Sequence, residues 1–182
     1  MNDPVWVFGY GSLMWDPGFD VAESRIGRLH GYGRSFCMWS IHHRGTVEKP
    51  GLVLALDEQA ATHCDGLVLR VADGHESRAL SYLRARELIS SAYVEKVLPV
   101  ELDDGSVVDA VTYVIDEQHE QYCSGLALPD QARIIAEAIG GRGTNPDYLY
   151  NTVAHMAEIG ISDPELDWLA RRVKQICAAT AQ

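Results

Sequence analysis

Short runs of apolar and β-branched residues dominate the first two thirds of the chain, whereas the last third has apolar residues at helical spacing. The runs predict strands at residues 5–10, 29–40, 51–56, 66–71, 93–102 and 107–115. The last two strands are joined by Asp103-Asp104-Gly105-Ser106, which predicts a hairpin with an Asp-Gly turn.

Four helices are predicted, one between the strands and three after them. The first covers residues 76–88, the third is capped by Asn145, and the fourth by Ser162 or Asp163. Together these elements predict a single α+β domain over residues 1–182 with a helical C-terminal tail. Glycines at several strand ends favour a sheet that closes, fully or partly, into a small β-barrel with helices beside it.

Composition narrows the class of partner. The 182 residues are 47% hydrophobic and 23% charged, which is ordinary for one globular domain. The net charge of −11 argues against nucleic acid, which requires a basic face, and against an anionic membrane surface. An acidic protein can still bind an anionic small molecule through local N–H groups and one or two arginines.

The sequence shows neither the pattern of a targeting signal nor the residue spacing of a metal site. The N-terminus lacks the pattern of a secretory signal, and no apolar run has the length of a membrane span. The four cysteines are scattered without a Cys-x-x-Cys pair, which favours reduced thiols and a cytoplasmic location. The seven histidines lack metal-ligand spacing, so we do not expect a zinc site.

A glycine-rich turn follows the first predicted strand. Gly9 and Gly11 flank Tyr10, and Ser12 and Leu13 come next. Because glycine has no Cβ, such a turn can bring backbone N–H groups close to a carboxylate or an oxyanion. The alternative is an ordinary strand end and tight turn, since short glycine motifs recur by accident.

One acidic residue lies on an apolar helical face. Glu87 falls on the same stripe as Ala79 and Leu83, which should point to the core. A carboxylate there must be paired, protonated or used, and burial raises the pKa of a carboxyl group towards the range of a proton carrier. The alternative is a frayed helix end, where Glu87 reaches solvent or pairs with Arg84 or Arg86.

Other candidate residues carry weaker signals. Ser12 does not lie in a Gly-x-Ser-x-Gly elbow, so it is expected to be a hydrogen-bonding loop residue and not a nucleophile. Cys37, Cys64 and Cys123 lack a nearby Cys-His pattern, which leaves a thiol nucleophile open but unsupported. Arg44 lies in a polar loop that is either a solvated turn or a clamp for a carboxylate.

Five motifs follow one another along nearly the whole chain, from about residue 5 to about residue 175. They are Val5-Trp6-Val7-Phe8-Gly9-Tyr10-Gly11-Ser12-Leu13-Met14-Trp15, then His43-Arg44-Gly45 with Pro50-Gly51, then Cys64-Asp65-Gly66-Leu67-Val68-Leu69-Arg70, then Tyr82-Leu83-Arg84-Ala85-Arg86-Glu87, and finally Thr144-Asn145-Pro146-Asp147-Tyr148-Leu149. Together they resemble the ChaC-like glutathione-specific γ-glutamylcyclotransferases. Two positions depart from that pattern: Ser91 stands where a Gly-x-Tyr run is common, and His42 where many members have an acid.

The resemblance implies a γ-glutamylcyclotransferase-like barrel in which the glycine-rich turn and a catalytic glutamate face one cavity. It implies cleavage of a γ-glutamyl amide to 5-oxoproline and a free amine, which is cysteinylglycine when the substrate is glutathione. It implies a small-molecule substrate, no metal and no cofactor. It also implies that Glu87 is catalytic and that the substrate-binding residues are Tyr10, Gly11, Ser12, Leu13, Arg44, Tyr93 and Tyr148.

Three alternatives stay open at this point. The same cyclisation could act on other γ-glutamyl amino acids or amines, because the two departures bear on substrate range. A non-catalytic small-molecule binding protein could share the fold, and a cysteine-dependent amidase or transferase is the third possibility. A monomer or a weak homodimer is expected.

Overall fold

The computed structural model describes residues 3–182, and its sheet is a closed five-stranded barrel in the order β1-β3-β2-β4-β5. The strands are β1 (Trp6–Gly9), β2 (Val21–Ser40), β3 (Gly51–Val71), β4 (Tyr93–Leu102) and β5 (Val107–Ile115). Strand β1 runs antiparallel to β3 and parallel to β5, with Trp6 opposite both Arg70 and Ala110. The predicted barrel and hairpin are confirmed.

Strand β3 differs most from the prediction. The two short strands expected at 51–56 and 66–71 are one continuous strand, and β2 begins well before residue 29. Residues 58–61 are exposed, so the hydrophobic pattern stops there although the backbone stays extended. Strand β3 lies between β1 and β2 in the barrel, so backbone hydrogen bonds to a neighbouring strand can hold this segment without an apolar face. A bidentate ion pair from Arg28 on β2 to Asp65 on β3, at 2.8 and 3.1 Å, also joins the two strands.

Four helices and a two-stranded hairpin complete the described chain. They are α1 (Glu76–Glu87), α2 (Leu128–Glu137), β6 (Ile139–Gly140), β7 (Gly143–Thr144), α3 (Asn145–Glu158) and α4 (Pro164–Thr180). Asp163 caps α4 as predicted, because its carboxylate accepts the N–H groups of Glu165 and Leu166. The predicted cap of α3 was wrong: the Thr144 side chain accepts the Asp147 N–H at 3.1 Å, and Asn145 is fully buried.

The described residues form two compact units. The first contains the chain up to Ser35 together with Ala55–His119. Its core includes residues from β1, β3, α1 and β5, with Val7, Val71, Leu83, Val111 and Tyr113 in one hydrophobic cluster. A single domain over the whole chain stays a prediction.

The second compact unit contains Phe36–Leu54 and Glu120–Gln182. Its helices bury one face each, and the buried apolar residues include Leu149, Leu169 and Val173. Within residues 3–182, none of the helices combines the length and the apolar character that crossing a bilayer requires.

Candidate active site

The glycine-rich turn lies between β1 and a short 3-10 helix, Ser12–Met14, and hydrogen bonds to its backbone carbonyls stabilise it. The N–H of Met14 donates to the carbonyl of Gly11 at 3.0 Å. The Arg34 guanidinium donates to the carbonyl of Tyr10 at 3.1 Å and to that of Asp65 at 2.9 Å, so one side chain joins the turn to β3. The conformation of the turn is therefore fixed before any ligand binds.

Gly66 explains the third sequence motif. A Cβ atom at this position would lie 2.4 Å from the carbonyl oxygen of Gly9 and 2.8 Å from the Phe8 ring. Only glycine allows β3 to pass this close to the end of β1. The third motif thus allows β3 to pack directly against the end of β1, where the glycine-rich turn begins.

The side chains of the turn divide into structural and accessible groups. Tyr10 is buried, and its hydroxyl donates to the carbonyl of Tyr113 at 2.8 Å. Leu13 packs in the same hydrophobic cluster as Leu83. Gly11 and Leu13 are buried and Ser12 is partly exposed, so a ligand at this turn would meet Ser12 first.

Helix α1 presents Glu87 at its C-terminal end. Its predicted apolar stripe is confirmed, since Ala79 and Leu83 are buried, and the Glu87 side chain is only 17% exposed. Nε of Arg86 lies 3.4 Å from Oε1 of Glu87. The carboxylate is thus shielded from water and also close to an arginine, so burial and ion pairing act on it in opposite directions.

Arg86 links this carboxylate to the turn. Its Nη2 donates to the Ser12 hydroxyl at 3.0 Å, and its Nη1 donates to the carbonyl of Asp16 at 2.6 Å. The same guanidinium therefore contacts Ser12 on one side and Glu87 on the other. The glycine-rich turn and Glu87, which were predicted separately from the sequence, are therefore bridged by the Arg86 guanidinium.

A second carboxylate lies nearby on β4. Glu95 accepts three hydrogen bonds from Arg84, at 2.9, 3.0 and 3.3 Å, and one from the hydroxyl of Tyr113 at 2.9 Å. The Arg84 hydrogen bond holds the pKa of Glu95 below its usual value. Burial, and then the contact with Glu95, raise the pKa of the Tyr113 hydroxyl, and the negative charge of Glu87 adds to that shift.

Tyr93 begins β4, opposite Ile115 of β5. It is partly buried and packs against the hydrophobic cluster that contains Leu13 and Leu83. The structure thus gathers six of the predicted site residues in the first compact unit: Tyr10, Gly11, Ser12, Leu13, Glu87 and Tyr93.

Arg44 and Tyr148 belong to the second compact unit, where they contact each other. The Arg44 guanidinium carbon lies 5.5 Å from the centroid of the Tyr148 ring, and Nη1 donates to the carbonyl of Thr144 at 3.2 Å. Burial lowers the pKa of Arg44. The Tyr148 hydroxyl accepts the N–H of Leu54 at 3.3 Å, and its ring meets Phe36 edge to face.

Two further groups were missed by sequence reasoning. Arg86 was considered only as a possible partner of Glu87, and its contact with Ser12 has no sequence signal beyond the Arg-Glu pair. Tyr113 lies in an apolar strand run whose inward-facing residues cannot be ranked from sequence. Its closeness to Glu87 arises from the packing of β5 with α1.

Metal and thiol chemistry have little support among the described residues. Within residues 3–182, no group of three or more His, Cys, Asp or Glu residues could hold a metal ion. Burial, with a smaller effect from neighbouring Cys37, raises the pKa of Cys123 to about 12. A thiol with that pKa is almost entirely protonated at neutral pH, which argues against Cys123 as a nucleophile.

Comparisons with known proteins show the family to which the chain belongs. The chain matches the family described as ChaC-like protein over residues 5–176. It is 37% identical over 175 residues to a glutathione-specific gamma-glutamylcyclotransferase of Escherichia coli (strain K12), covering 96% of this chain and 75% of that protein. It is 31% identical over 184 residues to gamma-glutamylcyclotransferase 2-3 of Arabidopsis thaliana, covering 98% and 92%.

A solved structure shows the same fold. The crystal structure of a gamma-glutamyl cyclotransferase specific to glutathione from yeast superposes with a TM-score of 0.84 at 22% identity, covering 96% of this chain and 97% of that one. The barrel is thus of the class that γ-glutamylcyclotransferases use. The chain itself belongs to the ChaC-like protein family, which confirms the resemblance seen in its motifs.

Proposed function

We propose that this chain is a γ-glutamylcyclotransferase that converts glutathione to 5-oxoproline and cysteinylglycine. The names of its relatives in the ChaC-like family support the reaction and the substrate. The observation that carries the proposal is the Arg86 guanidinium, which contacts both Ser12 of the turn and Glu87. A shielded carboxylate and a turn whose first N–H groups lack a partner within their helix therefore lie side by side.

The reaction needs few protein groups because the substrate contains its own nucleophile. The α-amine of the γ-glutamyl group attacks its own γ-carbonyl carbon and closes a five-membered ring, and the amide C–N bond then breaks. Holding the γ-glutamyl chain in a curled conformation lowers the barrier by up to about 7–11 kcal/mol in favourable intramolecular cases. The main work of the site is therefore orientation.

Glu87 would move the proton that the cyclisation requires. The substrate amine arrives as an ammonium group, so the Glu87 carboxylate first removes one proton from it. The resulting carboxylic acid then gives that proton to the nitrogen of the departing amine as the amide C–N bond breaks. The regenerated carboxylate accepts the second proton, which the ring nitrogen must lose, and passes it to the released amine, which leaves as an ammonium group. Arg86 favours the ionised form of Glu87 at the start, which is the form that a base needs.

The turn would bind the charged and polarised parts of the substrate. The N–H groups of Ser12 and Leu13 open the 3-10 helix, and first-turn N–H groups have no partner within their helix. They are suited to the α-carboxylate or to the oxyanion that develops on the γ-carbonyl, where one donor contributes on the order of 3 kcal/mol. Tyr93, Arg44 and Tyr148 stay predictions as further substrate-contacting residues.

Glu87→Gln tests the proposal because the amide keeps the shape of the side chain and removes its basicity. We expect kcat for 5-oxoproline formation from glutathione to fall by about 10²–10⁴-fold, in a variant that still folds, as circular dichroism can check. Glu76→Gln, at the other end of the same helix, is the matched control and should keep wild-type turnover. Turnover of Glu87→Gln close to that of the wild type would contradict the assigned role.

A panel of γ-glutamyl compounds tests the substrate. Glutathione should give a higher kcat/KM than γ-glutamyl amino acids or γ-glutamylamines, measured as 5-oxoproline released. Preference for one of the others would correct the substrate but keep the reaction. Ligand-induced thermal stabilisation without any product would instead indicate a binding protein. A cytoplasmic location and a monomer or weak homodimer stay predictions that fractionation and size-exclusion chromatography can measure.

A further inference from the structure

Arg86 makes four polar contacts within the first compact unit. They are the Ser12 hydroxyl at 3.0 Å, the carbonyl of Asp16 at 2.6 Å, the Tyr82 hydroxyl at 3.4 Å and Oε1 of Glu87 at 3.4 Å. The Arg86 side chain is only 13% exposed. A shielded guanidinium with contacts of this kind is held in one place, because moving it would break them together.

The neighbours of Glu87 bear charges of both signs. Arg84 and Arg86 lie on the same helix, Glu95 lies on β4, and Tyr113 lies on β5. Arg84 is engaged by Glu95, whose negative charge offsets it. The Tyr113 hydroxyl is neutral at physiological pH, since even an ordinary tyrosine pKa lies well above that pH and the pKa of Tyr113 is raised further. At this end of the helix Arg86 therefore pairs with Glu87, whereas Arg84 pairs with Glu95.

We propose that Arg86 is a positioning residue that keeps Glu87 ionised and at the same time fixes the turn through Ser12, so that the base and the binding turn are set by one side chain. The inference rests on the proposed function for its kinetic consequence only. Its electrostatic consequence concerns the titration of Glu87, which can be measured without substrate.

The first part of the proposal predicts a change in the acidic limb of the pH–rate profile. Arg86→Gln removes the cation beside Glu87, so the protonated acid becomes more stable relative to the carboxylate. An opposite charge at this distance typically lowers the pKa of a carboxyl by about 1–3 units, and we expect the acidic limb of kcat/KM to move to higher pH by about one unit. Arg78→Gln, an exposed arginine on the same helix, is the control for a general loss of charge and should leave the limb in place.

The second part predicts a different result for Arg86→Lys. Lysine keeps the charge but cannot reproduce a planar fork with donors towards Ser12, Asp16 and Glu87 together. The acidic limb should stay near that of the wild type, while KM rises because the turn is no longer fixed. Ser12→Ala breaks only the contact with the turn, so it should also raise KM and leave the limb in place.

A carbon-13 NMR titration of the glutamate side-chain carboxyl carbons, with Glu87 assigned by its loss in Glu87→Gln, tests the electrostatic part directly. The midpoint of Glu87 should be higher in Arg86→Gln than in the wild type and unchanged in Arg86→Lys and Arg78→Gln. A midpoint in Arg86→Gln equal to that of the wild type would overturn the inference. So would a shift in Arg78→Gln of the same size.

The outcomes separate this inference from the proposed function. If the wild type releases no 5-oxoproline from any γ-glutamyl compound, the proposed function fails, yet the titration still decides the role of Arg86. If Arg86→Gln does not fold, Arg86→Lys decides: a raised KM with an unchanged midpoint supports the inference, and a shifted midpoint with an unchanged KM overturns it.

Discussion

Asn145 holds the first residues of β3 through a pair of hydrogen bonds that substitution would break together. Its Oδ1 accepts the N–H of Leu52 at 2.8 Å, and its Nδ2 donates to the carbonyl of Leu52 at 2.8 Å. Both residues are fully buried. Asn145 lies so close to the strand that a Cβ on Gly51 would be 2.6 Å from Oδ1. Asn145 of the fifth sequence motif therefore fixes the start of α3 to the start of β3.

Asn145→Ala should destabilise the protein by about 2–6 kcal/mol. The change leaves the buried N–H and C=O of Leu52 without these partners, and one buried unsatisfied group costs about 1–3 kcal/mol, so two cost about twice that. A typical domain has only about 5–15 kcal/mol of stability in total. By comparison, Thr144→Ala removes the cap of α3 and should cost about 1 kcal/mol.

Urea unfolding followed by circular dichroism measures these differences, with the slope of the transition checked for each variant. Asn151→Ala, an exposed asparagine on the same helix, is the control and should cost less than about 0.5 kcal/mol. The reasoning would be refuted if Asn145→Ala cost no more than Thr144→Ala. That result would mean that Asn145 acts at the helix end, as its sequence position suggested.

Two further predictions use the shifted pKa values. Arg84 holds the pKa of Glu95 below its usual 4.5, so the stabilisation that Glu95 provides is present above that pH and is lost as the pH falls. Glu95→Gln should therefore lower the melting temperature at pH 7, and the difference from the wild type should shrink below about pH 4.5; a difference that stays constant down to pH 3 would contradict the ion pair. Cys123, with its pKa raised to about 12, should resist iodoacetamide at pH 8 in the folded protein and react after unfolding, as peptide mass spectrometry can show. Rapid alkylation of Cys123 with loss of 5-oxoproline formation would instead favour the cysteine-dependent alternative.

The elements that sequence patterns predicted well are those in which burial and local turn chemistry agree. An apolar stripe defines helix α1, which ends one residue before its predicted boundary. An Asp-Gly turn defines the β4–β5 hairpin, whose strands have their predicted bounds. The middle of β3 was missed because its residues 58–61 are exposed. Strand pairing holds that segment, and pairing between distant strands leaves no periodic signal in one sequence.

The candidate site was predictable only in part, for a related reason. Helical periodicity was enough to put Glu87 on the apolar face, because that argument uses neighbours on one helix. The same argument could not show that Arg86 turns towards Ser12, since that contact joins residues far apart in sequence. Asn145 was misread because asparagine is a good cap, whereas its side chain pairs with Leu52 on β3 and Thr144 supplies the cap.

Two carboxylates flank Tyr113, and their surroundings distinguish which of them can move a proton. Glu95 accepts a bidentate pair from Arg84 and a further hydrogen bond from Tyr113, and its pKa is lowered, so protonating it near neutral pH would break several strong contacts. Glu87 is shielded from water, and its contact with Arg86 is longer, at 3.4 Å. Enzymes separate the roles of paired carboxylates through such differences in environment. Glu95 is thus suited to hold Tyr113 and Arg84 in place, and Glu87 is the carboxylate of the pair suited to accept a proton and return it.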